Sequence, residues 1–147
     1  IDTPVAHIDV MPTLAAAAGA MLPAGVEIDG RDLLPLADGT GGLSRPDDAI
    51  FWQSGSYRVV RAGGWKLQVD GKQDKVWLFN LQDDPTEQHN LVDAEPARVK
   101  ELLAQLAEFN SQQKAPLWPS LVEAPILIDK PLNRPQTIDD EFIYWSN

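Results

Sequence analysis

The chain reads as an α+β fold: a four-stranded antiparallel meander packed by a C-terminal amphipathic helix, preceded by a short N-terminal helix and followed by an extended Pro-rich tail. Three observations predict this. Four short runs rich in β-branched and aromatic residues lie between residues 49 and 80, separated by turn chemistry. Apolar residues recur at steps of three and four between 96 and 112. Residues 113–147 then change character, with Pro116, Pro119, Pro125, Pro131 and Pro135 set among large apolar groups.

From the N-terminus, Asp9-Val-Met-Pro-Thr-Leu-Ala-Ala-Ala-Ala-Gly19 predicts a short helix over about 10–19. Asp9 is placed to cap its first turn, Pro12 falls where a missing N–H is harmless, and Gly19 suits the stop. An Ala-rich helix this short is marginal alone and needs something to pack on. Residues 20–48 follow as a Gly- and Pro-rich connection in which Asp32-Leu-Leu-Pro-Leu36 can make one helical turn.

The strand runs are Ala49–Gln53, Tyr57–Arg61, Trp65–Val69 and Val76–Asn80. Gly55-Ser56, Gly63-Gly64 and residues 70–75 separate them at hairpin spacing, which forces antiparallel neighbours. A period of two sets Trp65, Leu67 and Val69 on one face and Lys66 and Gln68 on the other. Residues 82–90 are a polar, Pro-containing turn. The helix from Pro96 to Gln112 carries Val99, Leu102, Leu103, Leu106 and Phe109 as its apolar stripe. Trp65, Leu67, Trp77 and Phe79 are expected to form the core beneath it. Phe142-Ile-Tyr-Trp145 is expected to anchor the tail. The resulting divisions are 1–48, 49–112 and 113–147.

Composition narrows the function. The chain of 147 residues carries 22 acidic and 12 basic side chains, a net charge of −10, and its basic residues are scattered. Nucleic-acid binding rests on clustered Lys and Arg, so that class of partner is excluded. No apolar run approaches the roughly 20 residues of a membrane span. Cysteine is absent, which removes disulfides, thiolate ligands and a cysteine nucleophile. A chain that opens on Ile, without a basic and apolar leader, reads as the later part of a longer protein.

Four sets of side chains invite a chemical role. His7 and Asp9 have a metal-site spacing, yet two ligands do not make a site and Asp9 has a capping role available. Asp83, Asp84, Glu87 and His89 are a candidate cation cluster, although Asp-Pro favours a turn and the register of a calcium loop is missing. Trp52, Tyr57, Trp65, Trp77 and Phe79 are either core or a ring-binding platform, with Tyr57, beside a Gly-Ser turn, expected to be the most exposed. Lys72 and Lys75 sit in the third hairpin loop, where they either meet an anion or form a solvated tip. No nucleophile elbow, phosphate-cradling glycine loop, zinc helix or dinucleotide fingerprint occurs.

The order of landmarks goes further. Val5-Ala-His-Ile-Asp-Val-Met-Pro-Thr-Leu14 and Asp29-Gly-Arg-Asp-Leu-Leu-Pro-Leu36 come first. Tyr57-Arg-Val-Val-Arg-Ala-Gly-Gly-Trp-Lys-Leu67 and Trp77-Leu-Phe-Asn-Leu-Gln-Asp-Asp-Pro-Thr-Glu-Gln-His-Asn-Leu91 follow. In this order they resemble the C-terminal region of the sulfatase family, over about residues 5–110.

The resemblance implies a subdomain of an alkaline-phosphatase-like α/β enzyme, in which 1–48 is the end of the catalytic-core region. It implies sulfate-ester hydrolysis by a formylglycine, made from the Cys or Ser of a Cys/Ser-x-Pro-x-Arg motif, with calcium polarising the sulfate. Neither form of that motif occurs in this sequence. No catalytic or metal residue is therefore carried over, and this chain holds no cofactor of its own. The implied partners are an upstream catalytic core and a sulfate-ester substrate, with a second subunit as a further candidate for the tail. Kinship also implies a periplasmic or secreted protein.

His7, Gln53, Tyr57 and Lys72 are the candidates for a substrate rim, since loops beside a cleft set specificity. Two competing readings are a stand-alone carbohydrate-binding or interaction module, and the same subdomain of a phosphonate or phosphodiester hydrolase. The sulfatase reading expects the helix near residues 10–18 to expose apolar surface.

Overall fold

The computed structural model describes residues 1–115, 117, 118, 120–128 and 133–146. It divides into two compact units, Ile1–Asp48 and Ala49–Asn147.

In the first unit a 3₁₀ turn, His7–Asp9, leads into α1, Val10–Ala17, and a single turn, α2, spans Leu34–Ala37. Helix α1 ends as its sequence demands. Gly19 has φ +65, and the N–H groups of Gly19 and Ala20 donate back to the carbonyls of Ala16 and Ala15, the left-handed C-terminal cap that only glycine adopts freely. The start departs from expectation. Asp9 makes no side-chain cap to α1; its carboxylate instead accepts the Ala6 N–H at 2.7 Å and the Arg31 N–H at 2.8 Å. Arg45 completes the cage as an ion-pair partner.

Asp9 is thus fully buried and ties the helix to the loop that follows. Gly30 lies in the same knot, where a Cβ would stand 2.0 Å from the carbonyl oxygen of Ile8. Thr13 joins it by donating to the Asp9 carbonyl and accepting from the Leu33 N–H. The expected apolar exposure of α1 is present, with Val10, Met11 and Leu14 all exposed.

In the second unit β1 (Ala49–Ser54), β2 (Tyr57–Ala62), β3 (Trp65–Asp70) and β4 (Lys75–Asn80) form one antiparallel sheet in that order. Gly63 and Gly64 both have positive φ, as a tight primed turn requires. The register stacks Val60, Leu67 and Leu78 on one face and Val59, Gln68 and Trp77 on the other.

Helix α3, Pro96–Ser111, lays Leu102 and Leu106 on the first face, and Phe109 stacks on Phe51 with ring centres 4.3 Å apart. The sheet is therefore buried on both sides. Trp77 and Phe79 correct the expected core: they sit on the face away from α3, because Leu78 between them takes the helix side.

That second face is covered by the C-terminal segment. It is not simply an extended strap, for Glu123–Leu127 (β5) and Phe142–Ser146 (β6) pair antiparallel. Ile143 packs with Tyr57, Val59, Trp77 and Phe79. Buried Asp70 fastens this hairpin to the sheet, accepting from the Tyr144 N–H at 3.0 Å and from Gln73 Nε2 at 2.8 Å. Trp77 Nε1 donates to Glu141 at 2.7 Å. Pro125 lies within β5, whereas the expectations placed on Pro116, Pro119 and Pro131 lie outside the described residues.

The loop after β4 is docked on the exposed edge of that strand. Asn90 Oδ1 accepts the Leu78 N–H at 2.9 Å, and the Leu91 N–H donates to the Leu78 carbonyl at 2.8 Å. The Asn-Leu pair thereby satisfies strand-edge groups that would otherwise be unpaired.

Candidate functional site

A cleft of about 430 Å³ opens in the second unit between the covered sheet face, the 85–87 turn and the C-terminal hairpin. Its polar side is a chain of side chains from β2, β3 and the turn. The Tyr57 hydroxyl donates to Gln68 Oε1 at 2.5 Å, and Gln68 Nε2 donates to Glu87 Oε2 at 2.8 Å. Lys66 Nζ closes the chain on Glu87, 2.7 and 2.8 Å from its two oxygens.

Lys66 and Gln68 are two apart on β3, so they share a face. Glu87 reaches them because its backbone adopts φ +58, an uncommon left-handed conformation for a residue other than glycine. Ile126, Ile128, Ile143 and Trp145 form the apolar wall. A smaller cavity of about 300 Å³ shares Glu87 and Ile128 with this cleft and is also lined by Asn90 and Glu141.

Electrostatics fix the orientation of this chain. Burial, reinforced by the charges of Glu87 and Asp70, pushes the Tyr57 hydroxyl well above the ordinary tyrosine range. Tyr57 therefore keeps its proton and is a donor at neutral pH. The donor at one end and the carboxylate at the other set the Gln68 amide with its oxygen toward Tyr57 and its NH₂ toward Glu87.

Within the second unit, the rim candidates Gln53, Tyr57 and Lys72 do not assemble into one site. Tyr57 lines the cleft, but the expectation that it is the most exposed aromatic is overturned: it is 7% exposed, because Ile143 and Trp145 of β6 close over it. Gln53 is exposed at the end of β1, on the opposite face from Tyr57. Lys72 pairs with Glu123 of β5 and lies 4.2 Å from the centre of the Tyr144 ring, and the Glu123 carboxylate raises its pKa above the ordinary lysine value. His7 is exposed in the first unit.

The candidate cation cluster is dispersed. Asp83 accepts from Asn80 at 2.6 Å, Asp84 accepts the His89 N–H at 2.7 Å, and Glu87 turns away to Lys66 and Gln68. Among the described residues no three His, Cys, Asp or Glu side chains come together in a way that could hold a metal ion. The described residues therefore offer no ligand set for the divalent cation implied by the resemblance. Sequence reasoning missed Lys66, Glu87 and Trp145 as cleft residues. The alternation that set Lys66 and Gln68 away from the helix was the available signal.

An antiparallel sheet with a helix on one face and a hairpin on the other, carrying an amphipathic cleft, defines an α+β module. No protein-family model matches the chain. It is 54% identical over 85 residues to steryl-sulfatase of Homo sapiens, across 58% of this chain and 14% of that protein. It is 33% identical over 114 residues to arylsulfatase A of Bos taurus, across 59% of this chain and 22% of the relative. The crystal structure of Ps i-CgsB in complex with k-i-k-neocarrahexaose superposes with a TM-score of 0.64 at 26% identity, over 78% of this chain and 26% of that one. The chain is thus similar to sulfatases, and it spans only about a quarter or less of the length of the relatives it matches.

Proposed function

We propose that this chain is the C-terminal subdomain of an enzyme that hydrolyses sulfate esters, with the formylglycine nucleophile and its divalent cation supplied by a segment outside these 147 residues. The observation that carries this reading is the 54% identity with steryl-sulfatase, confined to 14% of that relative. Helix α1 gives it physical content: Val10, Met11 and Leu14 are 54%, 48% and 63% exposed on one side of a helix whose only buried residue is Pro12. Three large apolar side chains on so short a helix fit a surface shaped to pack on a catalytic core. In this reading the subdomain is structural and also shapes access to substrate. The exposed His7 and Gln53 are free to take the rim role, while Lys72 is held by Glu123 and Tyr57 by burial.

The test compares the 147-residue chain with the complete gene product that contains it, using 4-nitrophenyl sulfate and bis(4-nitrophenyl) phosphate. Turnover of the sulfate ester by the complete protein, with none by the chain alone, is expected. Hydrolysis by the isolated chain, or a complete protein that cleaves only the phosphodiester, would overturn the reading.

A further inference from the structure

The cleft beneath the C-terminal hairpin has the makings of a ligand site of its own. Ligand sites combine apolar walls with a few placed polar groups, and here Ile126, Ile128, Ile143 and Trp145 face the Lys66–Glu87–Gln68 chain. Ile126 and Trp145 are 38% and 37% exposed, so the apolar wall is reachable from solvent. Of the polar groups, the Lys66 and Glu87 side chains are 24% and 22% exposed, while Gln68 is buried behind them.

Hydrogen-bond capacity identifies what fits. A carboxylate has about four acceptor sites, an ammonium three donors and an amide two. Glu87 accepts three bonds from its neighbours, two from Lys66 and one from Gln68. One acceptor site on Glu87 Oε1 and one donor on Lys66 remain beyond these contacts. A group that donates one bond and accepts another from adjacent atoms matches this set. Two neighbouring hydroxyls on a ring do so, and the C–H face of the same ring packs on isoleucine and indole.

Charge then discriminates between ligands. Lys66, the basic side chain among the described residues that line the cleft, is already paired with Glu87. A base already neutralised by its own carboxylate offers little to an anionic ligand, the more so in a chain of net charge −10. We infer that this cleft binds a neutral pyranose ring through vicinal hydroxyls, with the adjoining cavity extending it toward a second sugar unit. This stands on the cleft alone and does not depend on the sulfatase reading.

The experiment titrates the chain with cellotetraose, mannotetraose and neoagarotetraose, and with a heparin-derived sulfated tetrasaccharide, following the indole N–H resonances by NMR. At least one neutral tetrasaccharide should bind with a Kd of about 1 mM or tighter. The sulfated ligand should bind at least about fivefold more weakly than that one. Glu87→Gln and Trp145→Phe, each checked for an unchanged fold by its amide spectrum, should weaken binding by about tenfold. Glu87→Gln keeps the shape of the turn, so it remains informative if Trp145→Phe loosens β6. Failure of all three neutral ligands at about 10 mM, tighter binding of the sulfated ligand, or undiminished binding by folded Glu87→Gln would overturn the inference.

Discussion

Asp9 and Arg45, thirty-six positions apart, form an ion pair in which the side chains are 0% and 6% exposed. Burial raises the cost of the Asp9 charge, but bonds from the Ala6 N–H, the Arg31 N–H and Arg45 outweigh it and hold the carboxyl below its ordinary value. A depressed carboxyl pKa contributes stability that is present above the unfolded value near 3.9 and lost as pH falls through the folded one.

The first unit should therefore loosen in acid, with amide exchange rising in residues 1–48 below about pH 4. Removing the charge by Asp9→Asn leaves Arg45 buried and unpaired, a loss of about 3–5 kcal/mol. Limited proteolysis at neutral pH should then cut the variant within 1–48. An Asp9→Asn chain as resistant as the parent would show that the pair does not hold this unit together.

Tyr57 offers the opposite sign. Its pKa is raised, chiefly by burial and then by the Glu87 and Asp70 charges. The stability it contributes is complete below the unfolded tyrosine value near 10 and is lost as pH climbs toward the folded one. Absorbance near 295 nm should therefore show Tyr57 ionising only above the ordinary tyrosine range, in step with unfolding. Tyr57→Phe removes the bond to Gln68 and leaves a buried acceptor, a cost of about 1–3 kcal/mol. Denaturant melts of the parent and Tyr57→Phe chains measure it, and equal midpoints would show that the bond contributes nothing net.

The sheet was readable because its signals are local. Gly55-Ser56 and Gly63-Gly64 sit between runs of strand formers, and the register follows directly from such short turns. The stripe Val99, Leu102, Leu106 and Phe109 marked α3 for the same reason. Trp77 and Phe79 depart from the expected helix-side core because alternation with Leu78 turns them to the opposite face.

The C-terminal pairing was harder to read. Fourteen residues lie between β5 and β6, too many for a hairpin signal, and Pro125 argues against a strand by propensity alone. The cleft was invisible for a related reason. Lys66 and Glu87 stand twenty-one positions apart and meet only because Glu87 takes φ +58. Asp9 looked like a cap or a ligand, and only the chain's return at Arg31 and Arg45 shows it to be a tether.

Adjacent leucines on α3 give an internally controlled test of where the core lies. Leu102 is 1% exposed and packs against Val60, Leu67 and Leu78, whereas Leu103 is 37% exposed on the same helix. Truncation to Ala changes helix propensity equally at both positions, so any difference reports burial. Leu102→Ala removes side-chain contact from a site enclosed by strands and should cost about 2–5 kcal/mol, with part of that arising from the cavity left behind. Leu103→Ala should fall within about 1 kcal/mol of the parent. Urea unfolding of the three chains, with equal slopes, reads the two values directly. A Leu103→Ala loss that equals or exceeds that of Leu102→Ala would mean that α3 is rotated on the sheet, and the assignment of Trp77 and Phe79 to the opposite face would fall with it.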